Sequence, residues 1–220
     1  SDRSSPVQLN DHSTPFWDDM DTRQRLVFAA MKLFSEKGYG STSVADILRE
    51  ANANAGSLYH SFDTKQDLLL AVLDTYKAGI EPMLLLPAWE GVADPIERIF
   101  ALLAAYRGML EATECTYGCP IGSLALEIHE PDPPVRRLLS ENFHGWVGHV
   151  ETCLKAAEGR LPRATDTHAL ATFILTVMEG GVMQARTHRT LESFDAGIAS
   201  LRDYLNRLEE SARLERETAP

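Results

Sequence analysis

The chain has 220 residues, 44% of them hydrophobic and 24% charged, with a formal net charge of −11. That length suffices for one large or two small helical cores, and the composition is that of an ordinary globular protein rather than a fibrous or disordered one. No apolar run approaches the roughly 20 residues that cross a bilayer, so no membrane partner is expected. Three cysteines fit a reducing cytoplasm better than a disulfide framework.

Residues 1–21 are polar and acidic, contain Pro6 and Pro15, and lack the apolar core of a signal peptide. They read as a flexible arm on which Phe16 and Trp17 are available for docking. From Thr22 to Lys37 the apolar residues Leu26, Val27, Ala30, Met31 and Phe34 recur at intervals of three and four, which predicts an amphipathic helix. Asp21 or Thr22 can cap its start, and Lys37-Gly38 is a stop signal. Ser43 with Asp46 forms a capping box opening a short helix that buries Val44, Ile47, Leu48 and Ala51. After a break at Asn52-Ala53-Asn54, a second short helix runs over residues 55–62. Thr64 and Asp67 cap a longer one carrying Leu68, Leu69, Val72, Leu73 and Tyr76.

The prolines within residues 81–94 predict a loop or domain joint, and Pro95 to Ala112 is again helical. Gly118-Cys119-Pro120 interrupts the pattern, and a short helix through Leu124 and Ile128 ends at the prolines of residues 131–134. A long helix follows over 135–158. Another starts at Asp166 and runs to about His188, and a last one starts near Ser193 and carries Ile198, Leu201, Leu205 and Leu208. The polar tail after Arg213 is expected to fray. No run alternates apolar and polar residues between turn signals, so the fold class is all-α, with about nine helices. The expected division is an arm at 1–21, a domain of short helices at 22–79, and a larger helical domain at 80–220, to which the family resemblance given below assigns ligand binding and dimerisation.

The net charge alone argues against nucleic acid as a partner, but its distribution does not. Residues 1–21 hold one Arg and five Asp (−4), residues 22–79 hold seven Lys/Arg and six Asp/Glu (+1), and the remainder carries −8. The one segment that is not acidic contains two short helices joined by a tight turn, the arrangement that presents a second helix to the major groove. Asn54 is a competent N-cap for that helix. Ala55, Gly56 and Ser57 are small enough to let the backbone approach DNA, and Tyr59 and His60 follow one turn later. Lys65 is a candidate phosphate anchor, and Ser43 stands at the start of the first short helix. The same positions also admit a bland reading: Tyr59 as a half-buried packing residue, His60 and Lys65 as solvated side chains.

On these residues the sequence resembles the DNA-binding domain of TetR-family transcriptional regulators. The resemblance is carried by Phe34, Gly38-Tyr39, residues 43–47, residues 51–62 and residues 65–68. It departs from the family pattern at Asn52, where the turn usually has glycine, at Asn54 in place of a Ser or Thr cap, and at Ser61, where an aromatic or histidine is common. Residues 117–130 also resemble a C-terminal subtype from one branch of the family. The resemblance implies a three-helix DNA-binding domain, about six further helices, and a homodimer that releases a palindromic operator when a small molecule binds. By the same analogy the last two helices form the dimer contact. Gly180-Gly181 inside a helical run suggests close approach of a second backbone or a kink, and a dimer interface there would bury Phe173, Val182, Leu201 and Leu205.

A helical bundle of this size can hold a ligand cavity. Candidate lining residues are Phe100, Leu103, Tyr106, Tyr117, Cys119, Leu124, Phe143, Trp146, His149, Phe173, Val177 and Met178, each also an ordinary core residue. Trp146 and His149 share one helical face and suit a largely apolar effector with one polar group. Cys119, at a helix start, is either a sensor thiol activated by the helix dipole or an inert buried one. No Cys-x-x-Cys, His-Glu-x-x-His or glycine-rich phosphate loop is present, so neither catalysis, a metal nor a cofactor is expected. A helical interaction module that has lost DNA binding is the remaining alternative.

Overall fold

The computed structural model describes residues 20–218, so the arm expected at 1–21 lies outside it except for Met20 and Asp21. Every regular element among the described residues is helical. The elements are α1 (Thr22–Lys37), α2 (Val44–Glu50), α3 (Ala55–Ser61), α4 (Lys65–Ile80), a π-helical turn (Glu81–Leu85), α5 (Leu86–Trp89), α6 (Pro95–Ala112), α7 (Pro120–Glu127), α8 (Pro133–Ala156), α9 (Thr167–His188) and α10 (Glu192–Glu217). Since α4, the π turn and α5 follow one another without interruption, they form one continuous rod, and the described residues make nine rods.

The head is built by caps and a common core. Asp21, Ser43 and Thr64 each form a complete capping box, with Gln24, Asp46 and Asp67 returning the hydrogen bond. These caps fix where α1, α2 and α4 begin by satisfying donors that the first helical turn leaves unpaired. Leu26, Phe34, Ile47, Leu58, Phe62 and Leu69 meet in the middle. Thr42, buried between α1 and α2, donates to the Gly38 carbonyl at 2.7 Å, so its hydroxyl is not left unpaired.

The head's core does not end with α4. Ile121 and Leu124 of α7 and Val135, Leu138 and Leu139 of α8 belong to the same cluster. The second half of α8, with Trp146, Val147, Val150 and Leu154, belongs to the other cluster, formed with α6, α9 and α10. The helix α8 is therefore rooted in both. Near its midpoint the buried Asn142 side chain donates to the Leu73 carbonyl of α4 at 3.1 Å and to Leu138 at 2.8 Å, which ties the two helices together.

Four expectations are corrected. Most of the loop expected at 81–94 is helical. Pro82 has no N–H for the bond back to residue 78, and the chain widens locally into a π turn, with Leu86 N–H donating to the Glu81 carbonyl. The tail does not fray at Arg213: Arg213 pairs with Glu210 at 2.6 Å and Glu217 at 2.8 Å, Arg216 donates to the Gly159 carbonyl, and α10 continues to Glu217. Gly180-Gly181 does not break α9. A Cβ at Gly181 would lie 3.0 Å from the Phe194 ring, so the close approach there is to α10 of the same chain. Val182, Leu201 and Leu205 are already buried within the chain, and of the four residues expected at a dimer contact only Phe173 is exposed.

Candidate nucleic-acid interface and ligand groove

The helix-turn-helix is the pair α2 and α3. Asn52 takes the left-handed conformation at φ 47°, which asparagine adopts more readily than most residues, and so does the work of the glycine usual at this point. Asn54 caps α3: its Oδ1 accepts from the Ser57 N–H at 2.8 Å and from the Ser57 hydroxyl at 3.1 Å. The packing of Leu58 turns one side of α3 inward, which leaves Ala55, Gly56, Tyr59 and His60 on the exposed side. Tyr59 is 57% exposed, an unusual position for an aromatic ring that only packs.

Other candidates are engaged locally. The Ser43 hydroxyl accepts from the Asp46 N–H, while the Asp46 carboxylate accepts from the Ser43 hydroxyl at 2.7 Å and from the Ser43 N–H at 3.1 Å, and these last two bonds hold the Asp46 carboxyl down at about 2. Lys65 lies with its ammonium 4.1 Å from the centre of the Tyr39 ring and donates to the Tyr39 carbonyl. Partial burial lowers its pKa. Further cations of the head are Arg23, over the Phe62 ring at 5.0 Å, the exposed Arg49, and Lys37, which lines the groove described below.

The head is latched to the body by a residue that sequence patterning did not single out. Glu127, at the end of α7, accepts from the N–H groups of Tyr39 at 2.9 Å and Gly40 at 2.7 Å, in the turn that leads into α2. Gly38, at φ +86°, makes room for it: a Cβ there would come within 2.9 Å of the carboxylate. The only hint in the sequence is a glycine pair spaced around Tyr39.

A groove of about 1070 Å³ opens beside this latch, walled by the end of α1, by α7, by Phe143 of α8 and by α9. Of the expected ligand residues, Cys119 and Phe143 line it. Leu103, Leu124 and Met178 are sealed in the two cores. Phe100 is buried under the Arg202 guanidinium, 3.4 Å from its ring centre. His149, Tyr117 and Val177 are half-buried and do not line the groove. Phe173 is on the surface, edge-on to Tyr204 at 5.8 Å, beside an open hollow of about 660 Å³. Tyr106 and Trp146 lie just behind Cys119. The buried Trp146 indole N–H is near enough to the Tyr106 hydroxyl to favour its ionised form but out of bonding geometry. Burial drives the Tyr106 pKa upward, with the nearby Cys119 and Glu179 adding to the effect.

Glu179 of α9 was not anticipated. Its carboxylate touches the Cys119 thiol, and burial raises its pKa. The thiol in turn is pushed far up, first by burial and then by the adjacent carboxylate, which outweigh the N–H groups of α7. A thiol in this setting is protonated, which opposes the sensor-thiolate reading.

Two family models match the chain: one described as bacterial regulatory proteins of the tetR family, over residues 26–72, and one described as tetracyclin repressor-like C-terminal domain, over 95–201. The chain is 30% identical over 188 residues to an uncharacterized HTH-type transcriptional regulator of Mycobacterium tuberculosis, covering 83% of this chain and 93% of that one. It is 29% identical over 168 residues to the HTH-type transcriptional regulator LmrA of Bacillus subtilis, covering 76% and 87%. Among solved structures it is similar to a regulatory protein TetR from Rhodobacter sphaeroides, with a TM-score of 0.74 and 25% identity over 82% of this chain and 96% of that one.

Proposed function

The chain belongs to the TetR family of helix-turn-helix transcriptional regulators, and on that footing we propose that it is a cytoplasmic repressor. In this reading it binds a palindromic operator as a homodimer and is released by a small molecule. Residues 22–79 read the DNA, and residues 80–220 bind the effector and pair the subunits. It carries no catalytic role.

The observation that carries the reading is the exposed side of α3. Tyr59 and His60 stand out from a rigid, capped helix whose first turn, Ala55-Gly56, offers almost no side chain to hold DNA away. Tyr59 and His60 contact phosphate or base edges, and Ala55 meets a thymine methyl in the major groove. Asn54, Ser43 and Ser57 act chiefly by fixing the two short helices. Lys65 adds positive charge beside them. The dimer forms across α9 and α10, where Phe173 and Tyr204 leave apolar rings uncovered. The effector occupies the groove at Cys119 and Phe143, and shifts the population of dimers toward one whose two α3 helices no longer match successive major grooves, about 34–36 Å apart.

Selection of bound sequences from a random DNA pool at moderate salt tests this. A two-fold symmetric consensus is the expected result. No enrichment at any salt concentration would remove the DNA-reading assignment and favour an interaction module.

A further inference from the structure

Glu179 is out of place in a helical core. It sits in α9 between the fully buried Met178 and Gly180, its Oε1 is sealed from solvent, and that oxygen has no hydrogen-bond partner. No Lys or Arg pairs with it among the described residues; the one group found against the carboxylate is the Cys119 thiol, a weak donor. A buried carboxylate without a counter-charge is costly, and the cost is relieved either by holding a proton or by a cation supplied from outside the fold. Gly122 leaves the room it needs, since a Cβ there would overlap the carboxylate.

Glu179 also lines the groove, whose walls include the apolar Phe143, Leu175, Val182 and Ala125. The nearby cations are turned elsewhere. Arg186 donates to Ser123 at 3.4 Å, and Arg189 donates to the Cys115 carbonyl at 3.0 Å. Lys37 and Glu36 stand at the α1 end of the groove, and Glu127 is held by the Tyr39 and Gly40 N–H groups, so Glu179 is left among the apolar walls without an ion-pair partner.

We infer that the groove binds a small apolar molecule bearing a cationic nitrogen, whose N–H donates to the Glu179 carboxylate while its hydrocarbon part lies against Phe143 and Leu175. The inference deepens the effector reading given above and rests on it for its regulatory meaning, but not for binding itself. A charge-assisted bond inside a partly dry groove is stronger than the same bond from a neutral donor, and an anion is repelled.

The test uses three probes of one shape: 1-naphthylmethylammonium, 1-naphthylmethanol and 1-naphthoate, titrated calorimetrically into the full chain and into Glu179→Gln. The ammonium is expected to bind saturably to the native chain and about tenfold more weakly to the variant. The alcohol is expected to bind weakly and equally to both, which also shows that the variant is folded. The carboxylate is expected not to bind, and Gly122→Ala should weaken the ammonium as well. Equal affinity of the native chain for ammonium and alcohol, an unchanged ammonium affinity in Glu179→Gln, or no saturable ammonium binding would each overturn the inference. Operator binding measured in parallel separates the two readings. Glu179-dependent ammonium binding that leaves an operator complex intact supports the site and sinks the effector role. Release of the operator by other compounds, with no ammonium binding, does the reverse.

Discussion

Tyr59 is exposed and Glu179 is half-buried with one carboxylate oxygen sealed off, and each yields a single-group test. Tyr59 projects its ring from α3 into solvent. Tyr59→Phe keeps the ring and removes only the hydroxyl. The expected result is an operator affinity roughly ten- to a hundredfold lower, the cost of one hydrogen bond to a charged partner, with an unchanged melting temperature. Equal affinity in a gel-shift titration would show that the hydroxyl faces water in the complex. For Glu179 the sign follows from its raised pKa, with Cys119 and Tyr106 as its titratable neighbours. The folded chain holds its proton to higher pH than the unfolded chain, so stability falls as pH rises between the ordinary carboxyl pKa and the raised one. Glu179→Gln should therefore melt higher than the native chain at pH 8, and the gap should close as the pH is lowered toward 4. A gap independent of pH across that range would mean that the carboxyl is not strained by burial. Cys119 gives a third reading: iodoacetamide should modify it roughly tenfold or more slowly in the native chain than in denaturant.

At the scale of elements, the caps have measurable weight. Asn54→Ala removes the acceptor for the Ser57 N–H and should cost about 1 kcal/mol in urea unfolding, with a further loss in operator binding because α3 loses its fixed start. If the variant unfolds at the native urea midpoint, the cap is not holding the helix. These caps are also why the head was so legible in the sequence. Ser43 with Asp46, Thr64 with Asp67 and Asn54 place helix starts to the residue, and the intervals of three and four settle which faces are buried. The π turn was not legible, because proline in a sequence signals a break but does not say whether the chain leaves the helix or widens it. The groove was the least legible feature. Periodicity separates inward from outward residues, and Leu103, Met178 and Trp146 do point inward, but whether an inward residue meets a neighbour or a void depends on how α7 and α9 lie against each other. Glu179 was the available clue, a charge inside the apolar stripe of α9 next to two glycines. Glu127 left almost no trace, since an exposed acid at a helix end is common and its partners are backbone groups 87 and 88 residues away.

For the molecule as a whole, the exposed rings of Phe173 and Tyr204 set the prediction. A double substitution, Phe173→Glu with Tyr204→Glu, should turn a dimer into a monomer in sedimentation velocity while helical content is kept, and should weaken operator binding by far more than any single contact in α3, because two half-sites would no longer be bound together. A dimer that survives both changes would place the pairing surface elsewhere. The double rooting of α8 has a consequence of another kind. The helix-turn-helix head shares its core with Ile121, Leu124, Val135 and Leu139, which follow in the chain only after α6. A fragment ending after α4 would carry away most of that core and leave the matching apolar surface bare on what remains. The natural seam in the packing runs through the middle of α8, where the chain has no break to cut. Head and body are thus inseparable in heat as well as in sequence: they should melt as one cooperative unit, a single calorimetric peak.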